Sequence, residues 1–215
     1  MTAFAANCAV MKLYYSPGAC SLSPHIALRE AGLDFELERV DMPTKKTASG
    51  DDFYAINPKG FVPALRLDDG EILTEGPAIV QYVADLRPDA RLAPPAGTRA
   101  RYRLQELLNF ISTELHKGFS PLFNKDCPDA WKVVVKAKLG DAFVHVDRVL
   151  ARQAFLTGDE FTVADGYLFT VAKWTRFVGI DLNTWPHVAA FVGRVGERPA
   201  VHAALLAEGL IKPRA

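Results

Sequence analysis

The rhythm of apolar and polar positions changes near residue 90 of this chain. Before that point short apolar runs alternate with single amphipathic helices. Lys12–Tyr15 reads as a strand, stopped by Ser16-Pro17-Gly18. Leu22, Ile26, Leu28 and Ala31 then mark the face of a helix over 21–31, with Gly32 at the position of a C′ glycine. Phe35–Val40 begins with the alternation of a strand, and residues 43–56 read as a loop with a short helix. The turn-rich stretch Asn57 to Pro63 opens onto Ala64–Leu67, and Asp68-Asp69-Gly70 signals a hairpin into Glu71–Thr74. A helix follows from Gly76, with Pro77 in its first turn and a predicted buried stripe of Ala78, Ile79, Tyr82, Val83 and Leu86.

Arg87–Thr98, with three prolines and a glycine, is the best linker candidate. Beyond it strand signals nearly vanish and helical periods take over. One helix starts at Thr162-Val163-Ala164-Asp165, where a hydroxyl followed three residues later by an acid resembles a capping box. Another ends at Arg198-Pro199, and Gly209 is expected to end the last. The order β-α-β, β-β-α and then all-α fits a small mixed sheet with helices on its faces, followed by a helical bundle.

Composition narrows the function. Over 215 residues Lys+Arg and Asp+Glu each number 25, which argues against nucleic acid, whose binders carry a basic excess. At 49% hydrophobic residues the chain can fill a sizeable core. Cys8, Cys20 and Cys127 are an odd, sparse set, unlike a disulfide framework. No apolar run approaches the roughly 18 residues of a membrane span, and no basic residue precedes Lys12 as a secretory signal requires. A soluble, cytoplasmic protein without membrane partners is the expectation, with residues 1–10 an N-terminal extension that is either a disordered arm or an early start ahead of Met11.

Three positions carry chemistry. Cys20 follows Pro17-Gly18-Ala19 at the start of a predicted helix, where free amides and the dipole favour a thiolate. The competing reading is a buried cysteine acting as a small hydrophobe. Ser23 stands where a resolving cysteine would, so redox chemistry at Cys20 needs an external thiol. A cis bond at Val62-Pro63 would offer the Val62 backbone to an extended peptide, although most X-Pro bonds are trans. Glu75, beside a helix N-terminus, can accept an ammonium while the amides there take a carboxylate, although taken alone an exposed acid in a first helical turn is the better reading.

Together these stretches resemble the cytosolic glutathione S-transferases, and among them the bacterial beta class. The resemblance rests on Lys12–Ser21, Asn57–Leu65, Thr74-Glu75-Gly76, Glu114–Phe119 and Phe161–Asp165, and spans Met11 to about Lys212. It implies a thioredoxin-like N-terminal domain (11–90) and an all-α C-terminal helical domain (91–215) in a homodimer. Glutathione would be the co-substrate, with a hydrophobic electrophile as its partner in a detoxification reaction and no metal. Cys20 and His116 would be the catalytic pair. Lys45, Val62, Pro63, Glu75, Gly76 and Lys117 would bind glutathione, with Asn109 and Thr113 reaching the partner subunit's site. Tyr15, Phe119 and Trp174 would line the electrophile pocket.

Two residues depart from that pattern. Gly76 stands where many relatives have a serine, and Phe61 replaces a commonly polar glutamine. His25, His145, His187 and His202 lack ligand-spaced partners and suggest no metal site. The main expectation is glutathione conjugation with possible thiol–disulfide exchange through Cys20. The alternatives are a glutathione-dependent thiol–disulfide oxidoreductase and a non-catalytic binding protein of the same fold.

Overall fold

The computed structural model describes residues 10–213; all but Val10 of the expected extension, Cys8 included, lies outside the described residues. Five strands form one sheet in the order β3-β2-β1-β4-β5. They are β1 (Met11–Tyr15), β2 (Phe35–Asp41), β3 (Lys46–Thr47), β4 (Ala64–Arg66) and β5 (Ile72–Thr74). Only β1 and β2 run parallel, because helix α1 (Leu22–Glu30) carries the chain back between them. The other neighbours are antiparallel, and the Asp68–Gly70 turn joins β4 to β5 as the sequence predicts. The two-residue edge strand β3 lies in the stretch expected to be a loop. It has too few residues to show a period.

Helix α2 (Phe53–Ile56) precedes β4, and α3 (Gly76–Leu86) follows β5. The buried face of α3 is Ile79, Val80, Val83 and Ala84; Ala78 and Leu86 are exposed, against expectation. Packing of α3 on α1 selects that face, and periodicity alone leaves it free to rotate by a position or two.

The helical half contains α4 (Arg99–Phe110), a π-helical turn at Ile111–His116 and α5 (Lys117–Phe123) in one unbroken run. Helices α6 (Asp129–Leu150), α7 (Val163–Ala172), α8 (Pro186–Gly196) and α9 (Pro199–Ala207) complete it. Every residue of α7 is buried, which marks it as the axis of this half. At its start the Asp165 carboxylate accepts the backbone N–H and the hydroxyl of Thr162, both at 2.8 Å, and the N–H of Leu156 at 2.8 Å.

Helix α1 is the hinge between the two halves. Leu22 through Leu28 are all buried, since α1 packs on α3, α7 and α9 while its strands β1 and β2 lie beside it. A helix covered on so many sides is held rigidly, and Cys20 sits two residues before it.

Candidate functional site

The turn before Cys20 is fixed from both sides by distant residues. Gly18 has φ 71°, a left-handed conformation that suits glycine, and Leu210 would lie 3.3 Å from an added Cβ. The Gly18 N–H donates to Glu208 Oε2 at 2.8 Å, and Trp174 Nε1–H donates to the Gly18 carbonyl at 2.9 Å. The other Glu208 oxygen lies 2.8 Å from His25 Nδ1, and Arg29 Nε–H donates to His25 Nε2 at 2.8 Å. Because Nε2 accepts, His25 is neutral and its proton is on Nδ1, donated to Glu208. His25 is thus a structural link, a role its sequence neighbours do not reveal because Glu208 is 183 residues away.

Beside Cys20 lies a slot of about 180 Å³. Its walls include Cys20, Val62, Pro63, Glu75, Gly76, His116 and Lys117. Seven predicted site residues from four separate segments therefore meet. The Val62-Pro63 bond is cis, and the Val62 carbonyl accepts the Cys20 thiol at 3.2 Å. Asn57 braces this loop, its Nδ2 donating to the Phe61 carbonyl at 2.8 Å and its Oδ1 accepting the Lys59 N–H at 3.2 Å.

Glu75 is held at φ 68°, unusual for a residue with a side chain. Its carboxylate is 2.8 Å from Lys59 Nζ, which also donates to Thr74 Oγ1 at 3.0 Å. Lys59 is a slot residue that the sequence reading missed; its place in a turn motif hid the ion pair.

Lys45 lies next to the slot without lining it. Its Nζ donates to the Gly60 carbonyl at 2.7 Å and sits 5.6 Å over the Phe61 ring. Asn109 and Thr113 are exposed on the outer face of the α4 run and line no part of the slot in the single chain.

A second cavity, of about 380 Å³, adjoins the first. Met42, Phe61, Phe123, Trp174 and Phe177 give it an apolar wall, with Cys20, Val62 and His116 at its floor. Of the three residues that the resemblance assigns to an electrophile pocket, Trp174 lines this cavity, and Phe119 and Tyr15 do not. Phe119 has no exposed surface and packs edge-on behind Trp174 at 5.8 Å, so Phe123, one turn later, takes the wall position. Tyr15 is turned into the core against His25, at 6.3 Å between ring centres. A larger cavity of about 970 Å³ opens between the linker, α4 and α6, where Phe110 and His145 lie, and no cysteine lines it.

Burial, and not the start of α1, governs the electrostatics of the site. Burial pushes the Cys20 thiol up to about 12, and Glu75 adds to this. Its own amide, that of Ser21 and Lys117 act the other way and lose. Helix α1 starts only at Leu22, so its dipole does not overcome desolvation at Cys20. His116 moves down to about 4, chiefly through burial and then through Lys117, with Glu75 opposing. A neutral thiol and a neutral imidazole therefore face the slot at pH 7. Among the described residues no group of three His, Cys, Asp or Glu side chains could hold a metal ion, and no helix is long and apolar enough to cross a membrane.

Comparison with known proteins agrees with this geometry. Residues 18–86 match the family model for the glutathione S-transferase N-terminal domain, and residues 110–199 that for the C-terminal domain. Glutathione S-transferase GstA of Escherichia coli O157:H7 is 52% identical over 200 residues, covering 93% of this chain and all of that protein. Among solved structures, a ternary complex of BphK, a bacterial glutathione S-transferase, aligns with TM-score 0.91 and 61% identity over 92% of this chain and 99% of its own. A bacterial beta-class enzyme from Sphingomonas chungbukensis aligns with TM-score 0.90 and 50% identity, over 93% of this chain and all of its own. A sphingomonad enzyme complexed with glutathione aligns with TM-score 0.90 and 48% identity, over the same shares of the two chains. With both domain models matched in order and half the residues shared with these enzymes, the chain belongs to the glutathione S-transferases, in their bacterial beta class.

Proposed function

We propose that this glutathione S-transferase binds glutathione in the 180 Å³ slot and transfers its thiolate to a hydrophobic electrophile seated in the aromatic cavity. One observation carries the reading: the two cavities share Cys20, Phe61, Val62 and His116, so a sulfur at that seam touches both ligands. Co-binding there removes the entropy of encounter, and a held thiolate needs little further activation. The Val62 backbone pairs with the cysteinyl residue of glutathione. Glu75 takes the γ-glutamyl ammonium in competition with Lys59, and the Gly76 amide and Lys117 serve the anionic groups. Lys45 reaches the glycyl carboxylate once it leaves the Gly60 carbonyl.

Asn109 and Thr113 are assigned to the partner's site in a homodimer, a role that suits their exposure on the single chain. A division near residue 90 separates the glutathione-binding part from the helical part, and the reduced cytoplasm suits three sparse cysteines. The test uses protein with Cys8 and Cys127 replaced: glutathione binding by calorimetry, conjugation across a panel of electrophiles, and light scattering for the dimer. Absence of binding and of conjugation would sink the assignment.

A second reading is favoured by Cys20 itself. Its thiol opens on both cavities and no cysteine stands three residues on, so it can exchange with a glutathione disulfide without a resolving partner. Intact mass with and without reductant detects the mixed disulfide. Cys20→Ser is expected to abolish reduction of a glutathionylated thiol while leaving conjugation within a few-fold. Retained reduction would refute this reading.

A further inference from the structure

The slot contains a residue that neither the motifs nor the reading above assigned. Tyr167 lies on the fully buried helix α7 and is 2% exposed, yet its side chain lines the slot together with Cys20, Glu75 and Lys117. Its hydroxyl is 2.6 Å from His116 Nδ1, with the two rings edge to face at 90°. Trp174 packs on the same imidazole, 5.0 Å between ring centres at 73°. The histidine is therefore fixed by two rings and one hydrogen bond, and only its Nε2 remains for a ligand.

The direction of the hydrogen bond decides what Nε2 can do. If the phenol accepts from Nδ1–H, Nε2 is a bare lone pair and a base. If the phenol donates to Nδ1, Nε2 carries the proton and is a donor. The chemistry of the pair selects between these. A phenol O–H is a stronger donor than a neutral imidazole N–H, and the imidazole lone pair is a better acceptor than a phenol oxygen, so the short 2.6 Å contact is Tyr167 O–H donating to Nδ1. Ser112 lines the same slot beside this pair. The π-helical turn at Ile111–His116 brings Ser112 and His116 to one face, its wide turn closed by Lys117 N–H on the Ser112 carbonyl.

We infer that Tyr167 is a positioning residue that holds neutral His116 as the Nε2–H tautomer, so that His116 donates a hydrogen bond to the glutathione sulfur and does not act as its base. The inference rests on glutathione occupying the slot. The thiol proton then leaves to solvent, the His116 proton stays on Nε2, and the thiolate is stabilised by a donated N–H. The other titratable groups around the imidazole are Cys20, Glu75, Lys117 and Lys59, and none of them is recorded within hydrogen-bond distance of Nδ1. A neutral donor is also consistent with burial and Lys117, which keep His116 uncharged at pH 7.

The tautomer can be read directly by nitrogen-15 NMR of imidazole-labelled, ligand-free protein, independently of any ligand. A protonated-type Nε2 and an unprotonated-type Nδ1 are expected; the reverse assignment would overturn the inference. With glutathione present, Tyr167→Phe should raise the pKa of the bound glutathione thiol by about one unit and lower kcat/KM about tenfold at pH 6.5, since one unit is a tenfold change in thiolate. KM for glutathione and the melting temperature should stay near the wild-type values. Conjugation should recover as pH rises past the shifted pKa, which a merely structural loss would not allow. An unchanged thiol pKa in a folded Tyr167→Phe protein would also overturn the inference. Failure of the wild-type protein to bind glutathione would instead remove the site assignment, leaving the tautomer measurement standing.

Discussion

The two cavities that meet at Cys20 are built by different means. The slot is a backbone construction: a cis Val62-Pro63 bond, Glu75 at φ 68°, the glycine at position 76 and a loop braced by Asn57. The aromatic cavity is a packing construction, made of the faces of Phe61, Phe123, Trp174 and Phe177 that other side chains leave uncovered. Backbone geometry is dictated by a few residue types in a fixed local order. Which ring of a helix is exposed depends on neighbours far away in sequence. The slot tolerates little change in local sequence, whereas the aromatic cavity can be re-cut by single side chains.

The largest expected effect falls on the clamp that both cavities share. Glu208→Ala removes the acceptor of the part-buried Gly18 N–H and of the fully buried His25 Nδ1–H. Leaving these donors unpaired should destabilise the fold by roughly 2–4 kcal/mol, read by chemical denaturation. If stability is unchanged, the Cys20 turn is held by Trp174 alone.

Acid should weaken the slot next. His116 is depressed to about 4 from an ordinary 6.5. The unfolded chain binds a proton there between those values and the folded chain does not. The contribution is present above about pH 6.5 and is lost as pH falls toward 4, up to about 3 kcal/mol. Asp165, raised to about 6 by burial, works in the opposite sense in the same window, favouring the fold as pH drops. The measurement is therefore the difference between wild type and His116→Asn across pH 4–7, where equal slopes would refute the assignment.

Glu75→Gln sharpens the comparison on the slot side alone. Loss of a charged acceptor for the ammonium should weaken glutathione binding by about 1.5–3 kcal/mol, with the competing Lys59 pair softening the loss. Calorimetry checks it, and an unchanged affinity would assign the ammonium elsewhere. The smallest effect belongs to the other cavity. Phe123 is half exposed and stacks on Phe119 at 6.3 Å. Phe123→Ala should cost less than about 1 kcal/mol of stability and raise KM for aromatic electrophiles a few-fold, with glutathione binding intact. A loss of glutathione affinity would show that the cavities are not separable.

This division also explains what could be read in advance. The strand–loop–helix order of the first half, the turn at Asp68–Gly70 and the interest of Cys20, Val62-Pro63 and Glu75 follow from short-range signals: proline and glycine positions, a helix start, a reactive thiol. His116 and Lys117 have no such signal and come from the family resemblance alone. The resemblance assigns Tyr15 and Phe119 to the electrophile pocket, but depth below the surface is a property of what packs there, and both are buried away from the cavity wall. Phe119 and Phe123 lie one turn apart on α5. Here α6 and Trp174 cover Phe119 and leave Phe123 half open. The state of Cys20 is left open by its sequence for a related reason, since the local amides that favour a thiolate are legible there and the burial that outweighs them is not.

Sequence by itself determined the family, the element order and the local form of the Cys20, Val62-Pro63 and Glu75-Gly76 stretches, because those depend on local backbone chemistry. Only the tertiary structure decided that Glu208, His25 and Trp174 lock the Cys20 turn, that Lys59 pairs with Glu75 and that Tyr167 reaches His116. Most of these contacts join groups far apart in sequence. A hydrogen bond requires its atoms within about 3 Å, and no local pattern encodes such a distance.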